Sequence, residues 1–144
     1  MKRLILIRHG QSLWNAENKF TGWVDIGLST NGVREAKFAG KLLKNEGYNF
    51  DIAFTSILKR AQMTLELCLS EMNMNKIKIV KDWRLNERHY GSLQGLNKND
   101  MVKKFGEKQV LMWRRSYDIP PPKLDKNEST HPINDTKYSH LDDS

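Results

Sequence analysis

Leu4 to Ile7 form an unbroken apolar run that ends in Arg8-His9-Gly10. This is the pattern of a short strand covered on both faces, with its C-terminal end opening into a loop. In open α/β sheets, ligands bind at such strand ends. After a polar stretch punctuated by glycine, Ser29 predicts the N-cap of a helix that places Val33, Ala36, Ala39 and Leu43 on one face, with Gly47 just past its end. Phe50 to Thr55 reads as a second strand. Leu58, Ala61, Leu65, Cys68 and Met72 then recur at helical spacing, with Arg60 in the first turns of that helix. Ile77, Ile79 and Val80 mark a third strand, and Lys98 to Phe105 and Lys108 to Tyr117 read as helices. Strands alternating with helices predict an α/β fold.

The pattern breaks at Pro120-Pro121-Pro122, where a helix cannot continue and an extended backbone is favoured. Beyond it the chain is polar, with Leu124, Ile133, Tyr138 and Leu141 as scattered larger apolar groups. Residues 1–122 therefore read as the folded domain, and 123–144 as a polar tail or a lid segment over a site.

At 144 residues the chain suits one domain with a real core, and 38% apolar against 28% charged residues lies outside the range of disordered chains. Lys and Arg exceed Asp and Glu by 24 to 17, a net charge of +7 that attracts anions. That charge suits nucleic acid, acidic membranes or phosphorylated metabolites alike. The basic residues are dispersed, with pairs at Lys103-Lys104 and Arg114-Arg115 but no long run, which argues against a nucleic-acid arm, while a few converging arginines would serve a small phosphate ligand. A lone cysteine, Cys68, excludes an intrachain disulfide; it reads as a core residue in a reducing, cytoplasmic setting. No Cys/His spacing resembles a metal site, and no apolar run reaches membrane-spanning length.

Arg8-His9-Gly10 carries the strongest chemical signal. Arg8 can grip a phosphate through two parallel hydrogen bonds, and Gly10 has no side chain to obstruct a ligand approaching the backbone. A neutral imidazole at His9 could attack phosphorus and become a phosphohistidine. Taken as an isolated tripeptide it is more often a histidine that merely caps a strand, so the surrounding sequence decides. Leu6 to Ser12 with Asn15, followed by Phe20-Thr21-Gly22-Trp23, resembles the opening signature of the histidine phosphatase superfamily. The blocks Thr55 to Ala61, Leu85 to Lys98 and Trp113 to Tyr117 with Pro120 to Pro122 are similar, in order, to its phosphoglycerate mutase branch. Glu87-Arg88-His89-Tyr90-Gly91 favours that branch over the superfamily's phosphatases.

The resemblance implies a three-layer α/β/α fold around a mainly parallel sheet, and the cytoplasmic interconversion of 2-phosphoglycerate and 3-phosphoglycerate in glycolysis. It implies 2,3-bisphosphoglycerate as phosphoryl primer, no metal, and His9 as phosphoryl acceptor, with Glu87 as general acid and base. It further implies that Arg8 and Arg60 bind the transferring group, and that Asn15, Thr21, Gly22, Arg88, Tyr90, Lys98, Arg114 and Arg115 line the substrate pocket. The partners implied are small phosphoglycerates, not nucleic acid or membrane; a homo-oligomer is left open.

The resembling family continues beyond Ser144 with a second histidine in a His-Gly-Asn-Ser-type segment that this chain lacks. The expectation is therefore an N-terminal portion with an incomplete sheet, poorly soluble, partly unfolded or associated through its open edge, and with little or no mutase activity. Two other readings stand beside it: a histidine-type phosphatase that releases free phosphate, and an inactive protein that binds phosphorylated ligands or other chains. Read on its own, Glu87 could instead be a surface carboxylate paired with Arg84 or Arg88.

Overall fold

A computed structural model describes residues 2–141. They fold as two compact units, residues 2–16 with 25–86, and residues 17–24 with 87–141. In the first unit the short helix α1 (Leu13–Ala16) precedes α2 (Thr30–Asn45), strand β1 (Ile52–Thr55), α3 (Lys59–Glu71) and strand β2 (Lys78–Lys81). β1 and β2 pair in parallel, Ile52 opposite Lys78 and Thr55 opposite Lys81, with α3 as the crossover between them. The mixed α/β class and the parallel pairing agree with the sequence reading.

Both crossover-side helices are closed by their own residues. Ser29 caps α2, its Oγ accepting from the Gly32 amide at 3.1 Å. At the other end Gly47 sits at φ +72, the Tyr48 amide donates to the Leu43 carbonyl, and that of Gly47 to Lys44, a left-handed cap. Asn73, at φ +59, ends α3 with the same pair of bonds, from Met74 to Leu69 and from Asn73 to Ser70. α2 and α3 approach closely at Gly40, where an added Cβ would lie 2.5 Å from the Cys68 carbonyl oxygen. Cys68 is buried as expected, with its thiol donating to the Ala36 carbonyl at 3.0 Å.

Two expectations fail in this unit. Leu4–Ile7 takes no place in the described sheet, and Leu4 and Leu6 stand 81% and 85% exposed. A strand covered on both faces needs a ladder partner, and the described pairing of β1 with β2 does not reach it. In α3, Leu58, Cys68 and Met72 are buried as read, but Arg60 and Thr64 are buried where Ala61 and Leu65 were expected, and those two are only half-buried. The helix is turned slightly about its axis so that two hydrogen-bonding side chains face inward.

The second unit packs Phe20, Leu93 and Val110 into a small core, with Tyr90, Met101, Val102 and Trp113 against it. Helix α4 (Lys98–Phe105) starts at Asn97, whose Oδ1 accepts from the Asn99 and Asp100 amides, and Gly106 at φ +81 separates it from α5 (Glu107–Arg115). Both helices match their sequence readings to within about two residues. After the prolines the chain is irregular and largely exposed, with two 3-10 turns, Pro132–Asn134 and Thr136–Tyr138, leading to a buried Tyr138 stacked on Trp23 at 4.7 Å.

Candidate active site

The residues nominated from sequence divide between the two units. Arg8, His9, Asn15 and Arg60 belong to the first; Thr21, Gly22, Glu87, Arg88, Tyr90, Lys98, Arg114 and Arg115 belong to the second.

In the first unit His9 is half-buried, and its Nδ1 donates to the Gly10 carbonyl at 2.7 Å. That bond assigns the proton to Nδ1, so the neutral ring carries its lone pair on Nε2. The next residue is locked to α3: the Gly10 amide donates to Thr64 Oγ1 at 3.1 Å, and Thr64 Oγ1 donates to the Arg60 carbonyl at 2.8 Å. Thr64 thus ties the His9 loop to the turn that carries Arg60, which is buried with 1% exposure. The sequence reading did not single Thr64 out; its signal was a hydroxyl four residues after Arg60, one helical turn along the same face. Arg8 is exposed. Asn15 closes α1 reciprocally with Ser12, each amide bonded to the other's side chain at 3.0 and 3.1 Å.

Gly10 carries a different constraint from the one expected. A Cβ there would meet the Gly32 carbonyl oxygen at 2.3 Å, so the missing side chain makes room for the first turn of α2. Gln11 completes the junction: its amide donates to Glu35 Oε2 at 2.7 Å and its carbonyl accepts from the Ser29 amide at 2.9 Å.

In the second unit the Tyr90 hydroxyl donates to Glu87 Oε1 at 3.3 Å. Tyr90's phenol is pushed up first by burial, then by the Glu87 carboxylate, and is held back by Arg114 and Arg115 at the end of α5. Glu87, Tyr90 and the two arginines therefore share one electrostatic environment. Arg84 forks onto Asp82 through Nε and Nη2. Arg88 clamps the chain beyond α5, donating from its terminal nitrogens to the Ser116 and Ile119 carbonyls at 2.7 and 2.8 Å. Lys98 Nζ lies 5.9 Å from the Phe20 ring centroid, and Phe20 packs on Tyr90 at 5.2 Å. Thr21 is buried, and Gly22 turns at φ +57 against Gln94 and the Tyr90 amide.

Thr21 Oγ1 and Arg88 Nε are buried without a hydrogen-bond partner among the described residues. Unsatisfied buried donors are costly unless a ligand meets them, and a hydroxyl with a guanidinium suits an oxyanion. Arg114 and Arg115 act on the Tyr90 phenol in the same unit, adding cationic donors that suit an anionic ligand. Among the described residues no group of three or more His, Cys, Asp or Glu could hold a metal ion, and no helix is long and apolar enough to cross a membrane.

Residues 4–135 match the histidine phosphatase superfamily (branch 1), and the chain belongs to that family. It is 57% identical over 141 residues to a 2,3-bisphosphoglycerate-dependent phosphoglycerate mutase of Borreliella burgdorferi (strain ZS7), a match covering 98% of this chain and 57% of the relative. The same identity and coverage hold for the enzyme of that name from Hydrogenobaculum sp. (strain Y04AAS1). The chain thus spans little more than half the length of these relatives. Among solved structures it resembles a phosphoglycerate mutase from Bacillus anthracis (TM-score 0.60, 26% identity, 71% of this chain and 51% of that one). It also resembles an alpha-ribazole phosphatase from Shigella flexneri (TM-score 0.64, 26% identity, 81% of this chain and 55% of that one).

Proposed function

We propose that this chain carries the phosphoryl-acceptor and acid–base parts of a phosphoglycerate mutase site, with His9 as the residue that takes up the phosphoryl group. The observation that carries the reading is the 57% identity to mutases across 98% of the chain. The bond from His9 Nδ1 to the Gly10 carbonyl supports it, because it orients the ring and leaves Nε2 as the nucleophilic nitrogen.

When bound, 2,3-bisphosphoglycerate supplies the phosphoryl group. His9 Nε2 attacks phosphorus, forming the N–P bond as the P–O bond breaks, and Arg8 and Arg60 neutralise the oxygens of the group in transit. Glu87 gives a proton to the departing oxygen, which leaves as a hydroxyl, and recovers one when the acceptor hydroxyl attacks. By resemblance, Asn15, Thr21, Gly22, Arg88, Tyr90, Lys98, Arg114 and Arg115 contact the phosphoglycerate, their donors and cations meeting its carboxylate and phosphate.

A phosphatase reading has its own support in the likeness to the alpha-ribazole phosphatase. A single-turnover chase separates the two. The chain is loaded with labelled phosphoryl group and then mixed with 3-phosphoglycerate or with buffer alone. The mutase reading expects label to pass to phosphoglycerate faster than to water; release as inorganic phosphate at one rate under both conditions would replace it with the phosphatase.

A further inference from the structure

The second unit holds a hydrogen-bonded frame in which Trp23 has no role assigned above. The Trp23 indole Nε1–H donates to the Glu87 carbonyl at 2.7 Å across 64 positions of sequence. Its backbone amide donates to Gln94 Oε1 at 2.8 Å. The ring between these two bonds is fixed on both sides, stacked on Tyr138 at 4.7 Å and met edge-on by His89 at 5.5 Å. His89 is itself oriented, its Nδ1 accepting from the Gly91 amide at 2.9 Å. Gln94 also closes against the preceding residue: a Cβ on Gly22 would lie 2.4 Å from Gln94 Oε1. One indole therefore joins the Thr21–Gly22 turn, by covalent succession, to the backbone of Glu87.

We propose that Trp23 is a positioning residue that holds the Glu87 carboxylate in fixed relation to the Thr21–Gly22 turn. The functional half of this inference rests on the acid–base reading of Glu87. A general acid must meet its proton acceptor within hydrogen-bond reach, and displacements of about 1 Å can cost about a hundredfold in rate. Glu87 follows the irregular segment after the 3-10 turn Trp83–Leu85, so no helix or ladder of its own fixes its backbone. The bond from Trp23 supplies that restraint.

Tyr90 provides a readout, because its phenol senses the Glu87 carboxylate and also faces Arg114, Arg115 and the uncharged Phe20 ring. The experiment titrates Tyr90 by carbon NMR of labelled tyrosine in the full chain, in Trp23→Phe, in Glu87→Gln and in the double variant. Glu87→Gln should lower the phenol's pKa by removing the carboxylate. Trp23→Phe should produce part of that fall alone and nothing further in the Glu87→Gln background, since it acts through Glu87. An unmoved Tyr90 in Trp23→Phe, or an equal shift in both backgrounds, would overturn the proposal.

If Trp23→Phe does not fold, hydrogen exchange in the unsubstituted chain decides: the Trp23 indole proton should exchange far more slowly than a free indole, and exchange at the free rate would overturn the proposal. Calorimetric titration with 3-phosphoglycerate tests the underlying function separately. Trp23→Phe should weaken binding about fivefold, the effect of one ordinary hydrogen bond. No binding by the unsubstituted chain would sink the mutase reading and leave the Tyr90 cycle to judge the positioning claim.

Discussion

Substituting Gly10 by alanine tests whether the His9 loop is held by packing on α2. The added Cβ would stand 2.3 Å from the Gly32 carbonyl oxygen, 2.9 Å from its carbon and 3.0 Å from its Cα. All three are backbone atoms in the first turn of a helix, so no side chain can swing aside. Relief requires the loop to move, which stretches the 3.1 Å bond from the Gly10 amide to Thr64. Overpacking of this kind costs about 1–3 kcal/mol and a weakened buried hydrogen bond about 1 more, so the expected loss is about 2–4 kcal/mol. For a chain of this size that corresponds to a fall in melting temperature of about 10 °C. Urea unfolding followed by circular dichroism measures it, with Gly47→Ala as the reference. Gly47 has no atom within 4 Å of a built Cβ, so only its φ of +72 opposes alanine, at about 1 kcal/mol. If Gly10→Ala lies within about 0.5 kcal/mol of the unsubstituted chain while losing phosphorylation of His9, the packing argument is wrong and Gly10 serves ligand approach instead.

Four further outcomes are expected. Glu87→Gln should slow transfer from 2,3-bisphosphoglycerate to His9 by about a hundred- to ten-thousandfold in rapid-quench experiments, and an unchanged rate would make Glu87 a structural residue. His89 is held below its ordinary value of 6.5 by burial first and by His131 second, so the unfolded chain binds its proton before the folded one does. Stability should therefore fall as pH drops below about 6.5, and His89→Gln should flatten that slope in urea titrations between pH 7 and 5. Leu4, Leu6 and Phe54 are 81%, 85% and 60% exposed, so sedimentation should show concentration-dependent association that Leu6→Glu with Phe54→Glu reduces. Thr64→Val should keep the volume of the side chain while breaking both bonds between Gly10 and the Arg60 turn, costing about 1–3 kcal/mol by the same urea assay.

What the sequence disclosed depended on how local each determinant is. The bounds of α2 were legible because Ser29 and Gly47 act on backbone groups within a few residues. Leu4–Ile7 shows the opposite case: its composition demands burial, yet pairing depends on distant residues, and the segment stands largely exposed. The inward turn of Arg60 and Thr64 was hidden because its cause is the Gly10 amide, 54 positions away from Thr64. At the site, residue types were read from resemblance, and the structure groups Glu87, Arg88, Tyr90 and the arginine pair within one unit. The contributions of Trp23 and Gln94 could not be read, since their bonds span 64 and 71 positions and follow no periodicity. The polar segment after Pro122 looked like tail or lid, and one aromatic, Tyr138, supplies a packing contact through Trp23.

The central claim is that His9 accepts the phosphoryl group, and the most direct measurement is to map it. The chain is incubated with labelled 2,3-bisphosphoglycerate, digested under alkaline conditions that preserve phosphohistidine, and sequenced by mass spectrometry. The account predicts acid-labile label on His9 alone and none in His9→Ala. Label retained by His9→Ala, or found on His89, His131 or His140, would contradict it.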